Sequence, residues 1–478
     1  MRRSSRPRTR VRRRYGIFLL LLLRIASSSP ALAACAEDAH VPDAVAPADQ
    51  LFERSRLTGD WDGWRGRWED AGVRLGATYL GEILGNFSGG NRQRTIYESR
   101  VDFSLDLDLE KALCWGGVTF HANAYRIDGR GLSTVAVGNL LPISSIEARP
   151  TTRLFDLWLE QQFLEQTMSV RAGKIAADDE FFISQYAMSF INGTFGWPGI
   201  MAVDLPSGGP AYPLSTPGLR IRGAPPNAAL SWSAAVFNGD PAGTGPGDPQ
   251  ARNASGTDFS IGNSALFIAE AAYAVDTAPD VPLPLSEIKL GAWYHTGHFT
   301  DLRFDSAHRS LADPQSTGTG AVHGGDFGFY LVADEMLWRE PGTSDQGLAG
   351  FLRLAGTPAA DRNLISFYVD GGSTYRGPFP GRDHDVAGLG LSFARISGAA
   401  RGLDRDTIAF KGTALPVHDY EAVIEATYQA RIAPWWLVQP DLQIVLHPGG
   451  HVPEAAPSAA GRAIPDAMVL GLRTTVIF

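Results

Sequence analysis

The sequence predicts an all-β protein: a sixteen-stranded antiparallel transmembrane β-barrel with a short N-terminal helical segment. Three observations predict it. Apolar and polar residues alternate with period two, most clearly in "VDFSLDLDL" (Val101–Leu109). Segments of this kind number sixteen, an even count, and most are ten residues or slightly longer, the length of a tilted membrane crossing. The connections between them alternate between short and long, as in barrels with turns on one side of a membrane and loops on the other. A mean hydropathy of −0.08 excludes a bundle of membrane helices, and 19% charged residues with 10% aromatics exclude a wholly disordered chain.

The elements follow in chain order. Residues 1–34 read as a secretory signal peptide, with eight arginines in the first 14 residues, the apolar core "GIFLLLLL" (Gly16–Leu23) and cleavage after Ala33 or Ala34. "LAAC" (Leu32–Cys35) also fits a lipid-attachment signal, although Arg24 and Pro30 suit that poorly. The leader holds nine of the 42 basic residues and no acid, so its removal leaves a net charge of −18. Bulk charge therefore argues against nucleic acid as a partner. Two cysteines, Cys35 and Cys114, exclude a disulfide scaffold and leave either one bridge or two thiols.

Residues 35–72 form an N-terminal segment with a helix, capped by Thr58 or Asp60 and stopped by Gly72. Trp61, Trp64 and Trp68 share one helical face, beside Arg65. The segment either packs on the periplasmic end of the barrel or enters and narrows the pore. The barrel then occupies residues 73–478. Its strands are expected at 73–84, 98–110, 116–127, 152–163, 167–176, 218–222, 228–238, 265–276, 286–298, 324–338, 347–357, 363–371, 385–396, 419–430, 435–446 and 467–478. Long connections follow the odd strands from 85–97 onward, and short ones follow the even strands, with roles exchanged at 358–362 and 372–384. The longest, 177–217, carries "DDEFF" and "NGTFGWPG" and is expected to fold inward, against the alternative of an outward cap. The last strand ends on Phe478, an amphipathic ending of the kind read by the barrel-assembly machinery. Trp435 and Trp436 read as part of an interfacial aromatic girdle.

Alternation also nominates lumen residues. Thr119, His121, Asn123 and Tyr125 oppose an apolar face of Val118, Phe120, Ala122 and Ala124. Asp156, Trp158 and Glu160 oppose Phe155, Leu157 and Leu159. Ser169 and Arg171 oppose Met168, Val170 and Ala172, with Lys174 at the strand end. Donors and acceptors of this kind can replace the water around sugar hydroxyls, and aromatic faces suit pyranose C–H groups. The bland alternative for each is a polar lumen residue that braces a loop. The substrate-contact candidates are thus Tyr125, Asp156, Trp158, Glu160, Arg171 and Lys174, joined by Trp61, Trp64 and Arg65 if the helix enters the pore. No cofactor and no metal site is expected: "HTGH" and "HPGGH" lack a carboxylate at ligand spacing. Neither a P-loop nor a nucleophile elbow is present, so an enzyme is not expected.

Several blocks make the chain resemble the carbohydrate-selective porins of the OprB family. They run in order from "LTGDWDGWRGRWEDAGVRLGATYLGEILGNFSGG" (Leu57–Gly90), through "INGTFGWP" (Ile191–Pro198), "GDFGFYLVADEMLWREP" (Gly325–Pro341) and "YEAVIEATYQARIAPWWLVQPDLQIVLHPGG" (Tyr420–Gly450), to "VLGLRTTVIF" (Val469–Phe478). The resemblance implies a sixteen-stranded porin of the Gram-negative outer membrane, passing glucose and similar sugars by passive diffusion. It also implies a pore narrowed by the N-terminal segment and infolded loops. A general or other-solute porin on the same barrel is the alternative, and a plugged structural barrel a further one. The expected partners are small sugars and outer-membrane lipid, with oligomerisation left open.

Overall fold

A computed structural model describes residues 51–478 apart from 226–227, 263, 277–285, 344, 413 and 455–460. The expected leader and Cys35 lie outside these residues; Cys114 is disulfide-bonded. Sixteen strands are present: β1 Val73–Ser88, β2 Arg94–Asp108, β3 Val118–Asp128, β4 Thr151–Phe163, β5 Met168–Ile175, β6 Thr216–Gly223, β7 Leu230–Asn238, β8 Ala265–Asp276, β9 Ser286–Thr300, β10 Val322–Arg339, β11 Gly347–Gly356, β12 Ile365–Arg376, β13 Val386–Ile396, β14 Tyr420–Ala433, β15 Trp436–Leu446 and β16 Ala467–Ile477. Each pairs antiparallel with its sequence neighbours, and β1 pairs with β16, which closes the sheet into a barrel. Closure leaves no unpaired strand edge, the condition for crossing a lipid core with strands. No described helix is long and apolar enough to cross a membrane.

The strand faces follow the alternation. On β16, Leu470 and Leu472 are exposed on the outer wall while Arg473, the next residue, is buried inside. Phe103, Leu290, Phe329 and Leu389 are likewise exposed apolar side chains of the outer wall, where lipid rather than water suits them. Two expectations change. The connection expected over 85–97 shrinks to 89–93 because β1 and β2 extend beyond their amphipathic cores. The β2–β3 connection holds a one-turn helix, Leu109–Leu113, whose first N–H groups are capped by Asp108.

The apolar core lies inside the barrel. The β3–β4 connection (129–150) and the β5–β6 connection (176–215) both fold inward. Their Leu141, Ile143, Phe181, Phe182, Ile200 and Met201 are buried against wall residues such as Leu84, Tyr330, Tyr368 and Val423. Each such side chain stabilises the packing by ~1.5–3 kcal/mol. Trp435 also departs from expectation. It is only 8% exposed, because Phe52 stacks on it at 6.4 Å and its indole N–H donates to the Leu51 carbonyl at 2.8 Å. It is a docking point for the N-terminal segment rather than a girdle residue.

That segment contains helix α1, Trp64–Asp70. Its N-cap is Gly63, not Thr58 or Asp60, because Trp61 and Asp62 adopt left-handed backbone (φ 53° and 54°). Gly72, at φ 84°, ends it as expected: a Cβ there would lie 2.6 Å from the Asp108 carbonyl oxygen.

Candidate functional site

The β5–β6 connection crosses the lumen because buried polar wall residues satisfy its backbone. The Phe182 N–H donates to Glu270 on β8, and Gln185 N–H to Asp334 on β10. The Ile191 and Asn192 N–H groups donate to Glu425 on β14 at 2.6 and 2.9 Å. Arg353 on β11, fully buried, donates to the carbonyls of Phe182, Thr194 and Gly196 while forking onto Asp370 of β12. The β3–β4 connection docks in the same way: Leu141 N–H donates to Glu421 at 2.7 Å, and Arg473 reaches Ser145 at 2.9 Å. The two connections thus occupy the lumen in front of β8–β16. They face the opposite wall, β2–β6.

That wall carries a continuous ladder of polar and aromatic side chains. The His121 ring meets Asp106 through Nδ1 at 2.6 Å and stacks on Trp158 at 4.9 Å. The Arg171 guanidinium lies 3.7 Å over the Trp158 ring. Its Nε donates to Glu160 at 2.7 Å, and Nη1 pairs with Glu180, contributed by the infolded connection. Arg220 bridges the same two carboxylates, at 3.0 Å to each, and donates to Ser169 at 2.6 Å. Register explains the assembly: His121 faces Trp158 across β3–β4, Glu160 faces Arg171 across β4–β5, and Arg171 faces Arg220 across β5–β6. Two guanidinium groups side by side are tolerable because two carboxylates sit between them.

Beside the ladder lies an arginine–aromatic cluster. Arg100 forks onto Asp102 at 2.7 and 2.9 Å, and its guanidinium lies 4.6 Å from the Tyr125 ring and 4.8 Å from that of Tyr212. Tyr212 belongs to the infolded connection, and its N–H donates to Asp178 at 2.8 Å. Burial, with Asp179 beside it, pushes the Asp178 carboxyl above the usual carboxylate range.

The chain's relatives match this architecture. A model described as carbohydrate-selective porin, OprB family, fits residues 92–478. The chain belongs to the OprB family. This porin is 25% identical over 465 residues to Porin B of Pseudomonas aeruginosa, across 92% of this chain and 94% of that protein. It is 22% identical over 450 residues to the putative porin QuiX of Acinetobacter baylyi, covering 89% and 94% of the two chains. Its barrel is similar to the high-pH structure of Pseudomonas putida OprB (TM-score 0.77, 23% identity), over 89% of this chain and 99% of that one.

Within the porin, the nominated residues divide into three groups. Trp158, Glu160 and Arg171 meet in the ladder, and Tyr125 in the adjacent cluster. Trp158 has His121 and Arg171, from the strands on either side, against its ring. Asp156 and Lys174 sit in the wall. A bulge between β3 and β4 turns both Phe155 and Asp156 toward the lumen side, and Phe155 packs on Tyr125 at 4.8 Å. Lys174, 1% exposed, donates to the Phe155 carbonyl at 3.1 Å and to Ser215 at 2.5 Å. It braces the wall rather than facing solute.

Trp61, Trp64 and Arg65 lie away from the ladder. Leu57 N–H donates to the Ile477 carbonyl at 2.8 Å, and Arg65 donates to Gly59 at 2.7 Å and to the terminal Phe478 at 3.3 Å. Thr58, Trp61 and Arg65 line a cavity with Leu75, Ala77 and Phe103 of the outer wall. The segment therefore clasps the β1–β16 seam through Leu57 and Arg65, and Trp61 and Arg65 line this outer cavity, while Trp64 is exposed. Trp61→Ala with Trp64→Ala is expected to leave single-channel conductance within experimental error of the parent. A clear rise in conductance would show that the segment obstructs the pore.

Asp106, Glu180, Arg220, Arg100, Asp102 and Tyr212 were not nominated from sequence. Asp106 and Asp102 were visible as the polar face of β2. Arg220 lay in the shortest expected strand. Glu180 and Tyr212 sit in a connection with no periodicity to place them.

Proposed function

We propose that this porin conducts neutral sugars, glucose among them, by passive diffusion through the Gram-negative outer membrane, along the β2–β6 wall. The observation that carries this reading is the charge-matched ladder. A sugar hydroxyl both donates and accepts, so neighbouring guanidinium and carboxylate groups can serve each hydroxyl in place of water. The guanidinium groups of the ladder and its neighbouring cluster are matched by carboxylates: Arg171 and Arg220 by Glu160 and Glu180, Arg100 by Asp102. An organic acid entering there meets no cation without a partner, which disfavours the other-solute reading. Family membership supports a channel rather than an enzyme. The remaining parts of the proposal are a signal peptide over residues 1–34, Phe478 as the assembly signal and surrounding outer-membrane lipid.

Swelling of liposomes containing the purified porin tests the reading. Glucose is expected to enter several-fold faster than gluconate of nearly equal size. Equal rates, or faster entry of the acid, would overturn selectivity for neutral sugars.

A further inference from the structure

Two groups of histidine and carboxylate side chains stand at the barrel end opposite the termini. In one, Asp301 and Asp361 flank His323, but Arg362 donates to both oxygens of Asp361, at 2.8 and 3.1 Å. A cation there would meet a carboxylate already neutralised. The other group has two imidazoles, and no arginine pairs with its carboxylate among the described ion pairs. His447 Nδ1 lies 2.9 Å from Asp419 Oδ1, and His451 Nδ1 lies 3.8 Å from Asp419 Oδ2. Asp419 comes from the connection before β14, so the carboxylate that "HPGGH" lacks in sequence is supplied across space.

We propose that Asp419, His447 and His451 form a surface site for a borderline divalent transition-metal ion such as Zn²⁺ or Cu²⁺. Two ligands about 2.1 Å from one tetrahedral ion stand about 3.4 Å apart, and the separations of 2.9 and 3.8 Å bracket that value. Two imidazoles with one carboxylate suit zinc and copper rather than calcium or magnesium, which take oxygen donors. Water completes the coordination, since all three side chains are about a third exposed, at 28%, 34% and 37%. Tyr420 stacks on His447 at 4.3 Å and holds that ring, while His451 stacks on its neighbour at 4.6 Å and 20° from parallel and turns out of this stack to bring its in-plane lone pair onto the ion. Behind them, Glu421 accepts the Gly449 N–H at 2.6 Å and fixes the turn between the two histidines. On binding, the ring proton that His451 Nδ1 directs at the Val417 carbonyl, 3.2 Å away, moves to Nε2, and Nδ1 becomes a ligand.

The test uses the full-length, tag-free porin in detergent. Zn²⁺ is titrated calorimetrically, and Cu²⁺ is followed by electron paramagnetic resonance, which reports the number of nitrogen ligands. The expected result is one ion per chain with two nitrogen ligands. His447→Ala, His451→Ala and Asp419→Asn should each lower affinity at least tenfold, while His384→Ala leaves it unchanged. Unaltered sugar conductance in each variant confirms that the barrel has folded. Absence of stoichiometric binding, or binding that survives both histidine substitutions, overturns the site.

Discussion

Arg353→Met is expected to raise single-channel conductance at least twofold and to weaken discrimination between sugars of different size. Arg353 has no exposed surface and ties three carbonyls of the β5–β6 connection to the wall. Methionine fills a similar volume but donates nothing. It leaves Asp370, itself fully buried, without its cation, and breaking a buried pair in this way costs ~3–5 kcal/mol. The connection then loses its central anchor and leaves the middle of the lumen. Arg353→Lys should recover only part of the effect, because one ammonium cannot fork onto a carboxylate and reach three carbonyls together. Planar bilayer recordings of both variants, with thermal unfolding followed in parallel, decide the point. Conductance unchanged in Arg353→Met, despite lowered thermal stability, would show that this connection does not set the passage.

The second large effect is expected at Arg171. Arg171→Ala should lower the apparent affinity for glucose, read from sugar block of ion current, by about tenfold or more. Hydrogen bonds to charged groups contribute ~1.5–3 kcal/mol each, and a tenfold change corresponds to ~1.4 kcal/mol. The substitution also uncovers one face of Trp158 and leaves Glu160 and Glu180 with Arg220 alone. Cation preference should therefore rise as sugar affinity falls. Trp158→Ala should act in the same direction through loss of position, since Arg171 and His121 lose the ring between them. Sugar block identical to the parent in Arg171→Ala would remove the ladder from the pathway.

The strands were legible because membrane crossing imposes strict alternation on every one of them, so even the short β6 showed in "GLRIR". Boundaries failed where alternation carries on past the lipid, as in β1 and β2. Face assignments failed at Phe155, because a bulge shifts register without leaving a mark in the pattern. The arginine of "WDGWRGRW" was legible as important but not as a clasp, since nothing in residues 57–72 announces the carbonyls of Ile477 and Phe478. Part of the ladder was out of reach for the same reason. Glu180 belongs to it only because its connection turns inward, and that turn is dictated by Asp334, Arg353 and Glu425 on strands far along the chain.

That last dependence fixes an order of events during biogenesis. The β5–β6 connection emerges early, yet its docking partners follow much later: Ile191 waits for Glu425, 234 residues downstream, and Leu141 waits for Glu421, 280 residues downstream. Contacts this remote in sequence form late, because the chain between them must be ordered first. Until β14 is in place, the Ile191 and Leu141 N–H groups lack the carboxylates that accept them. The plug therefore cannot nucleate the barrel. It docks against a wall that the later strands supply.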